Sequence, residues 1–152
     1  MPIDVTAEVT INRPRSEVAA FIEDASNDLQ WIRALTEVTP LREGAMCTGY
    51  RVQRVAKVMG RTMPYVTEVV GYTPGERVDM ETIESPFPMH VTYTLRDAPG
   101  GTRMTIRNRG GKGLMFTLAG PLIGRMVNGR VQGDLEQLKR VLEAQGPGPS
   151  RS

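Results

Sequence analysis

Ile3, Val5, Ala7, Val9 and Ile11 alternate with polar residues, the period of two that turns one strand face toward a core. Asn12-Arg13-Pro14 ends this run, and Pro14 suits the first turn of a helix whose apolar positions are Val18, Phe21 and Ile22. A second short helical piece is expected from Ser26 or Asn27, either of which can cap it, to Ile32, with Trp31 at its end. From Leu35 the period returns to two. Strands are predicted at Leu35–Arg42, Met46–Met59, Arg61–Tyr72, Arg77–Glu84, Met89–Arg96 and Thr102–Arg109. Turn signals at Glu43-Gly44, Gly60, Pro74-Gly75, Pro86-Phe87-Pro88 and Pro99-Gly100-Gly101 separate them.

The period then changes once more. Val127, Val131, Leu135, Leu138 and Leu142 recur at steps of three and four, one face of a helix running from Gly113 to Ala144. Glu136, Lys139, Arg140 and Glu143 fall between them and point to water, whereas Leu114–Val127 is apolar nearly all round. A long amphipathic helix after a series of strands needs a sheet to lie on. Short turns make that sheet an antiparallel meander, so the expected fold is α+β, a curved sheet wrapped around the C-terminal helix.

Length and composition add limits. The chain has 152 residues, enough for one domain with a real core, placed here at 1–145 and followed by a disordered tail, 146–152. A net charge of +2 does not by itself indicate nucleic-acid or membrane binding. Cys47 is the only cysteine and reads as an inert thiol in a strand. Met1–Thr10 lacks the features of a signal peptide, and Leu114–Ile123 is too short to span a bilayer, so the expected location is the cytoplasm. Neither a dinucleotide fingerprint nor a phosphate-binding loop can be assembled, and no cofactor is expected; Asn108–Gly113 reads as a hinge. One histidine and one cysteine, far apart, do not make a metal site.

Four stretches carry a family resemblance. They are INRPRSEVAAFIEDASNDLQWI (Ile11–Ile32), TEVVGYTPGERV (Thr67–Val78), GGTRMTI (Gly100–Ile106) and LEQLKRVLE (Leu135–Glu143). Together they resemble the SRPBCC superfamily, the START-like or helix-grip group, and within it the polyketide cyclase/dehydrase branch. The resemblance implies a seven-stranded antiparallel sheet gripping the last helix around an apolar cavity. Members of the group carry lipids and other apolar ligands, cyclise polyketides, or act as accessory proteins.

Strand alternation sorts the side chains that would face such a cavity. Tyr50 and Arg54 share the inward phase of the third strand, Tyr65 that of the fourth, and Met80 and Glu84 that of the fifth. Tyr93 and Met104 follow on the sixth and seventh strands, and the helix adds Leu118, Leu122 and Met126. An apolar, methionine-rich lining with a few polar groups suits a small-molecule site, and equally a filled core. Arg54 either holds a ligand carboxylate or enolate, or snorkels to solvent. Glu84 either pairs with Arg54, or takes a proton from a substrate carbon, or lies in water at its strand end. His90 has the outward phase. Arg103, Arg107 and Arg109 form an outward basic stripe, continued by Lys112, that reads as a solvated face. Trp31 either lines the cavity mouth or covers the sheet's open end.

The leading expectation is a protein that binds a small hydrophobic, in one form acidic, ligand between sheet and helix. The alternatives are a cyclase or aromatase acting on a polyketide-like chain, and an accessory protein working through its outer surface. No catalytic set is assembled in the sequence. Monomer and homodimer are both compatible with it.

Overall fold

The computed structural model describes residues 3–58, 60–83, 88–110 and 114–145; the side chains of residues 3, 58 and 114–124 lie outside that description. Strand β1 (Ile3–Ile11) leads into helix α1 (Arg15–Ile22), a single 3-10 turn (Ala25–Asn27) and the four-residue helix α2 (Asp28–Trp31). Strands β2 (Leu35–Pro40), β3 (Arg51–Val58), β4 (Arg61–Thr73), β5 (Arg77–Ile83), β6 (Met89–Ala98) and β7 (Gly101–Gly110) follow, and helix α3 (Leu114–Ala144) closes the chain. The seven strands form one antiparallel sheet in the order β1-β7-β6-β5-β4-β3-β2. Neighbours in sequence are neighbours in space except at β1, which closes against β7. The fold is the antiparallel sheet and long helix that the periodicity predicts, in the helix-grip form that the resemblance implies.

Local details depart from the sequence reading where a short-range signal has two outcomes. Met46–Tyr50 is not strand. Gly44 and Gly49 have φ of 99° and 91°, a left-handed backbone that breaks the extended run, so β3 begins at Arg51. Met46 and Tyr50 are buried all the same. The 3-10 turn after α1 is capped by Asp24, whose carboxylate accepts from the Ser26 N–H at 3.1 Å. Asn27 holds the N-cap position of α2, as expected, without a capping hydrogen bond from its side chain. Asn27 instead donates to the Phe21 carbonyl at 3.1 Å. Residues 84, 112 and 146–152, on which readings of Glu84, Lys112 and the tail rest, lie outside the described residues.

The α3 stripe lies where the period of three and four places it. Leu135, Leu138 and Leu142 belong to the same buried core as Ile11, Val18, Ile22 and Met104, while Glu136 and Arg140 are exposed. The helix also seals the sheet's edge. Asn128, Gln132 and Lys139 donate to the Thr6, Glu8 and Thr10 carbonyls of β1 at 3.5, 3.2 and 2.8 Å. Glu143 accepts from the Asn12 N–H at 2.8 Å. Those β1 groups would otherwise offer an open strand edge to another chain. No helix among the described residues is long and apolar enough to cross a membrane.

Candidate functional site

The antiparallel register brings alternate residues of five strands to one face. Arg54 stands opposite Tyr65, Thr67 opposite Thr82, Met80 opposite Val91, and Val91 opposite Asn108. Where the solid core at the C-terminal half of α3 ends, this face and the helix leave a pocket of about 280 Å³. Its walls are mostly apolar, including Ile32, Leu35, Ala56, Met63, Met80 and Val91. Its polar lining includes Arg54, Tyr65, Thr67, Tyr93 and Asn108 from the sheet, with Arg130 and Asp134 from α3.

Arg54 is 5% exposed, so it does not snorkel. A guanidinium buried that deeply needs partners, and it finds two. Nη1 donates to Oδ2 of Asp28, itself buried on α2, and Nε donates to Thr67 Oγ1 at 3.1 Å. Its Nη2 has no hydrogen-bond acceptor among the described residues. Burial disfavours the Arg54 charge, but the Asp28 carboxylate beside it keeps the cation protonated. Burial pushes the Asp28 carboxyl up even against the pull of Arg54. The other Asp28 oxygen and the indole N–H of Trp31 are both buried; they interact electrostatically without reaching good hydrogen-bond geometry.

Trp31 is 1% exposed, and its ring tilts against that of Tyr93 at a centroid distance of 5.9 Å. It lies in the core beneath the pocket wall, not at a mouth. The hydroxyls of Tyr65 and Tyr93 make no hydrogen bond among the described residues, nor does the Asn108 amide. Burial pushes the Tyr65 phenol up, with Arg54 opposing, and pushes Tyr93 up further, with the Asp28 charge adding to it. Both therefore remain protonated donors at neutral pH.

Sequence reasoning misses Asp134, although a signal is there. It lies three residues after Val131 and four before Leu138, on the apolar stripe itself. It is 6% exposed, and Oδ1 accepts from the Arg33 N–H and Nε at 3.3 and 3.1 Å. Burial pushes its carboxyl up against those hydrogen bonds. The neighbouring Gly133 leaves room for Arg33 to reach it, since a Cβ there would collide with the Arg33 Nη2.

Of the residues named from the sequence, Arg54, Tyr65, Met80 and Tyr93 meet in the pocket lining. Tyr50 and Met104 are 5% and 0% exposed and belong to the surrounding core. Met126, assigned to the inner stripe, is 41% exposed, because Val127 and Val131 set the α3 face there. Glu84 and the side chains of Leu118 and Leu122 lie outside the described residues. On the opposite face of the sheet His90 is half-buried, as its phase predicts, with Nε2 3.1 Å from Asp79 and Nδ1 3.4 Å from Glu81. The basic stripe faces acids of β1: Arg107 makes a double hydrogen bond to Asp4 at 2.9 and 2.7 Å, and Arg103 comes within 4.0 Å of Glu8. Among the described residues no group of three His, Cys, Asp or Glu side chains is placed to hold a metal ion.

Comparison with known proteins adds a family. The family model "Polyketide cyclase / dehydrase and lipid transport" matches residues 2–143, and the chain belongs to that family. Among curated proteins none matches. Among solved structures, TTHA0849 from Thermus thermophilus is 20% identical with a TM-score of 0.80, the match covering 94% of this chain and 99% of that one. The di-domain ARO/CYC StfQ from the steffimycin biosynthetic pathway is 12% identical with a TM-score of 0.78, covering 95% of this chain and 52% of that one. Ara h 8.0201 is 14% identical with a TM-score of 0.71, covering 95% and 99%. At these identities the likeness is one of fold.

Proposed function

With membership of that family as the premise, we propose that the chain binds a small, largely apolar molecule bearing a polar oxygen group in the pocket between sheet and α3. One observation carries this reading. Four polar groups, Arg54 Nη2, the Tyr65 and Tyr93 hydroxyls and the Asn108 amide, have no hydrogen-bond partner among the described residues, and all four residues line one apolar pocket. These groups are not sealed like Asp28 Oδ1 and the Trp31 indole N–H, so within the pocket they stay open to water or to a ligand oxygen that replaces it. The pocket's size, near the lower end of the usual range for small-molecule sites, suits a ligand of two or three rings. Arg54, Tyr65, Met80 and Tyr93 are the proposed contacts, and Tyr50 and Met104, which belong to the buried core, are not among them. Glu84, Leu118 and Leu122 carry no part of the proposal.

Native mass spectrometry of the purified protein, followed by solvent extraction, tests it directly. A stoichiometric apolar molecule is the expected result. A second test uses anilinonaphthalene sulfonate, an apolar anion. Arg54→Met combined with Asp28→Asn, so that no buried charge is left alone, should weaken its binding about tenfold, the worth of one charged hydrogen bond. An empty protein with unchanged dye affinity would reject the reading.

The second reading, a cyclase or aromatase-type enzyme, draws on the same donors. Arg54, Tyr65 and Tyr93 are charged or protonated groups that could stabilise an enolate oxygen. Turnover of a polyketide-like chain, as against simple retention, separates the two. The outer-surface reading has less support, since the acids of β1 already face Arg103 and Arg107.

A further inference from the structure

We propose that Asp134 reads the ligand: its Oδ2 accepts a hydrogen bond from a hydroxyl of the bound molecule on the helix side of the pocket, while Arg54 holds an acceptor oxygen on the sheet side. This rests on the binding reading above and narrows it to one ligand class, an apolar molecule with both a carbonyl-type oxygen and a hydroxyl.

Asp134 occupies a position of the apolar α3 stripe and is 6% exposed. Its one ion-pair partner among the described residues, Arg33, has a side chain 56% exposed. An ion pair with so exposed a partner contributes little and does not by itself account for a buried acid. Only Oδ1 is used by Arg33; Oδ2 accepts from none of the described residues, and Asp134 lines the pocket. A carboxylate oxygen accepts and cannot donate once ionised, so the group that satisfies it must bring its own proton. The opposite wall presents donors, the Arg54 guanidinium and the two tyrosine hydroxyls. Arg130, one turn earlier on α3 and in the same lining, acts on Asp134 by charge but makes no hydrogen bond to it among the described residues. Oδ2 therefore remains an open acceptor facing the donors of the sheet side. A hydrocarbon, or an ether in place of the hydroxyl, meets only part of this pattern.

The probes are a hydroxy-acetylnaphthalene and its methyl ether, two compounds that differ in the one proton at issue. Trp31, the only tryptophan, is packed on Tyr93 and reports binding by fluorescence. The wild-type protein should bind the hydroxyl compound at least tenfold tighter than the ether, roughly the discrimination of one hydrogen bond to a charged group. Asp134→Asn should bring that ratio within threefold of unity. Asp134→Leu, which suits the apolar stripe, should do the same and guards against a folding defect in the first variant. Arg33→Gln, which removes the side-chain ion pair and its hydrogen bond but keeps the backbone N–H on Oδ1, should leave the ratio intact. A wild-type ratio near one, or one that survives both Asp134 variants, would overturn the assignment while leaving the binding reading in place. Loss of the ratio in Arg33→Gln would likewise reduce Asp134 to a structural partner of Arg33. Failure of both probes to bind the wild type would overturn this assignment and count against the binding reading as well.

Discussion

The two faces of the sheet carry the same kinds of charged residue under opposite conditions. Outside, Arg107 meets Asp4, Arg51 meets Glu68 at 2.8 Å, and Asp79 collects Arg77, Thr92 and His90 at 2.7, 2.6 and 3.1 Å. Water completes whatever these groups leave open. Inside, Arg54 and Asp28 are paired but not saturated, and Asp134 uses one oxygen of two. An unsatisfied polar atom means little where water reaches it and a great deal where hydration is already lost, as at Asp28 Oδ1 and the Trp31 indole N–H. Both residues neighbour the pocket lining, Asp28 through Arg54 and Trp31 through Tyr93.

The largest effect expected is at Asp28. Asp28→Ala leaves the Arg54 guanidinium buried without its carboxylate and should cost about 3–5 kcal/mol by urea unfolding. Combining Asp28→Ala with Arg54→Met should recover much of that loss, since removing both charges also removes their desolvation. If the double variant is no more stable than the single one, the pair is not the coupled unit described.

Asp79 comes next and tests the outer face through pH. Partial burial alone would push its carboxyl up, but hydrogen bonds from Arg77, Thr92 and His90 outweigh that and hold it well below the usual carboxylate range. Glu143 is lowered by Lys139 and the Asn12 N–H, and Asp4 by Arg107. A carboxyl depressed on folding contributes stability that is complete above its unfolded value, about 4, and is lost as the pH falls toward its folded one. Asp28 and Asp134, raised by burial, work in the opposite sense and blunt the loss. The melting temperature should therefore fall between pH 5 and 3. Asp79→Asn should lower stability at pH 7 by about 1–2 kcal/mol and flatten that fall. An unchanged acid limb in the variant would show that Asp79 is not its main source.

The smallest effect belongs to Arg107. Both it and Asp4 lie in water, where an ion pair is screened and its side chains lose conformational freedom. Arg107→Ala should leave the melting temperature unchanged within error at physiological salt. A clear drop would give the basic stripe a structural weight that its exposure does not suggest.

Much of the fold was legible because it is written in local periods. Alternation sorted Arg54, Tyr65 and Met80 to one face and His90 to the other, and steps of three and four found Leu135, Leu138 and Leu142. Two residues of the same chain show where that legibility ends. Arg54 could be placed on the inner face from its phase alone, but its partner, 26 residues away on a four-residue helix, could not. Asp134 carried a visible signal, an acid on an apolar stripe, yet its meaning depends on Arg33, 101 residues earlier, and on the wall it faces.

The sequence by itself determined the order and type of the elements and the facing of most strand positions, because those follow from steric alternation over a few neighbouring positions. It determined the family as well, since turns, a helix stripe and strand starts lie at matching places along nearly the whole chain. Only the tertiary structure decided which buried charge meets which, that Met126 turns outward, and that Tyr65, Tyr93, Arg54 and Asp134 surround one space. Those outcomes depend on strand register and on how the helix crosses the sheet. Both are set by the packing of the whole core, and neither is encoded in any short stretch of chain.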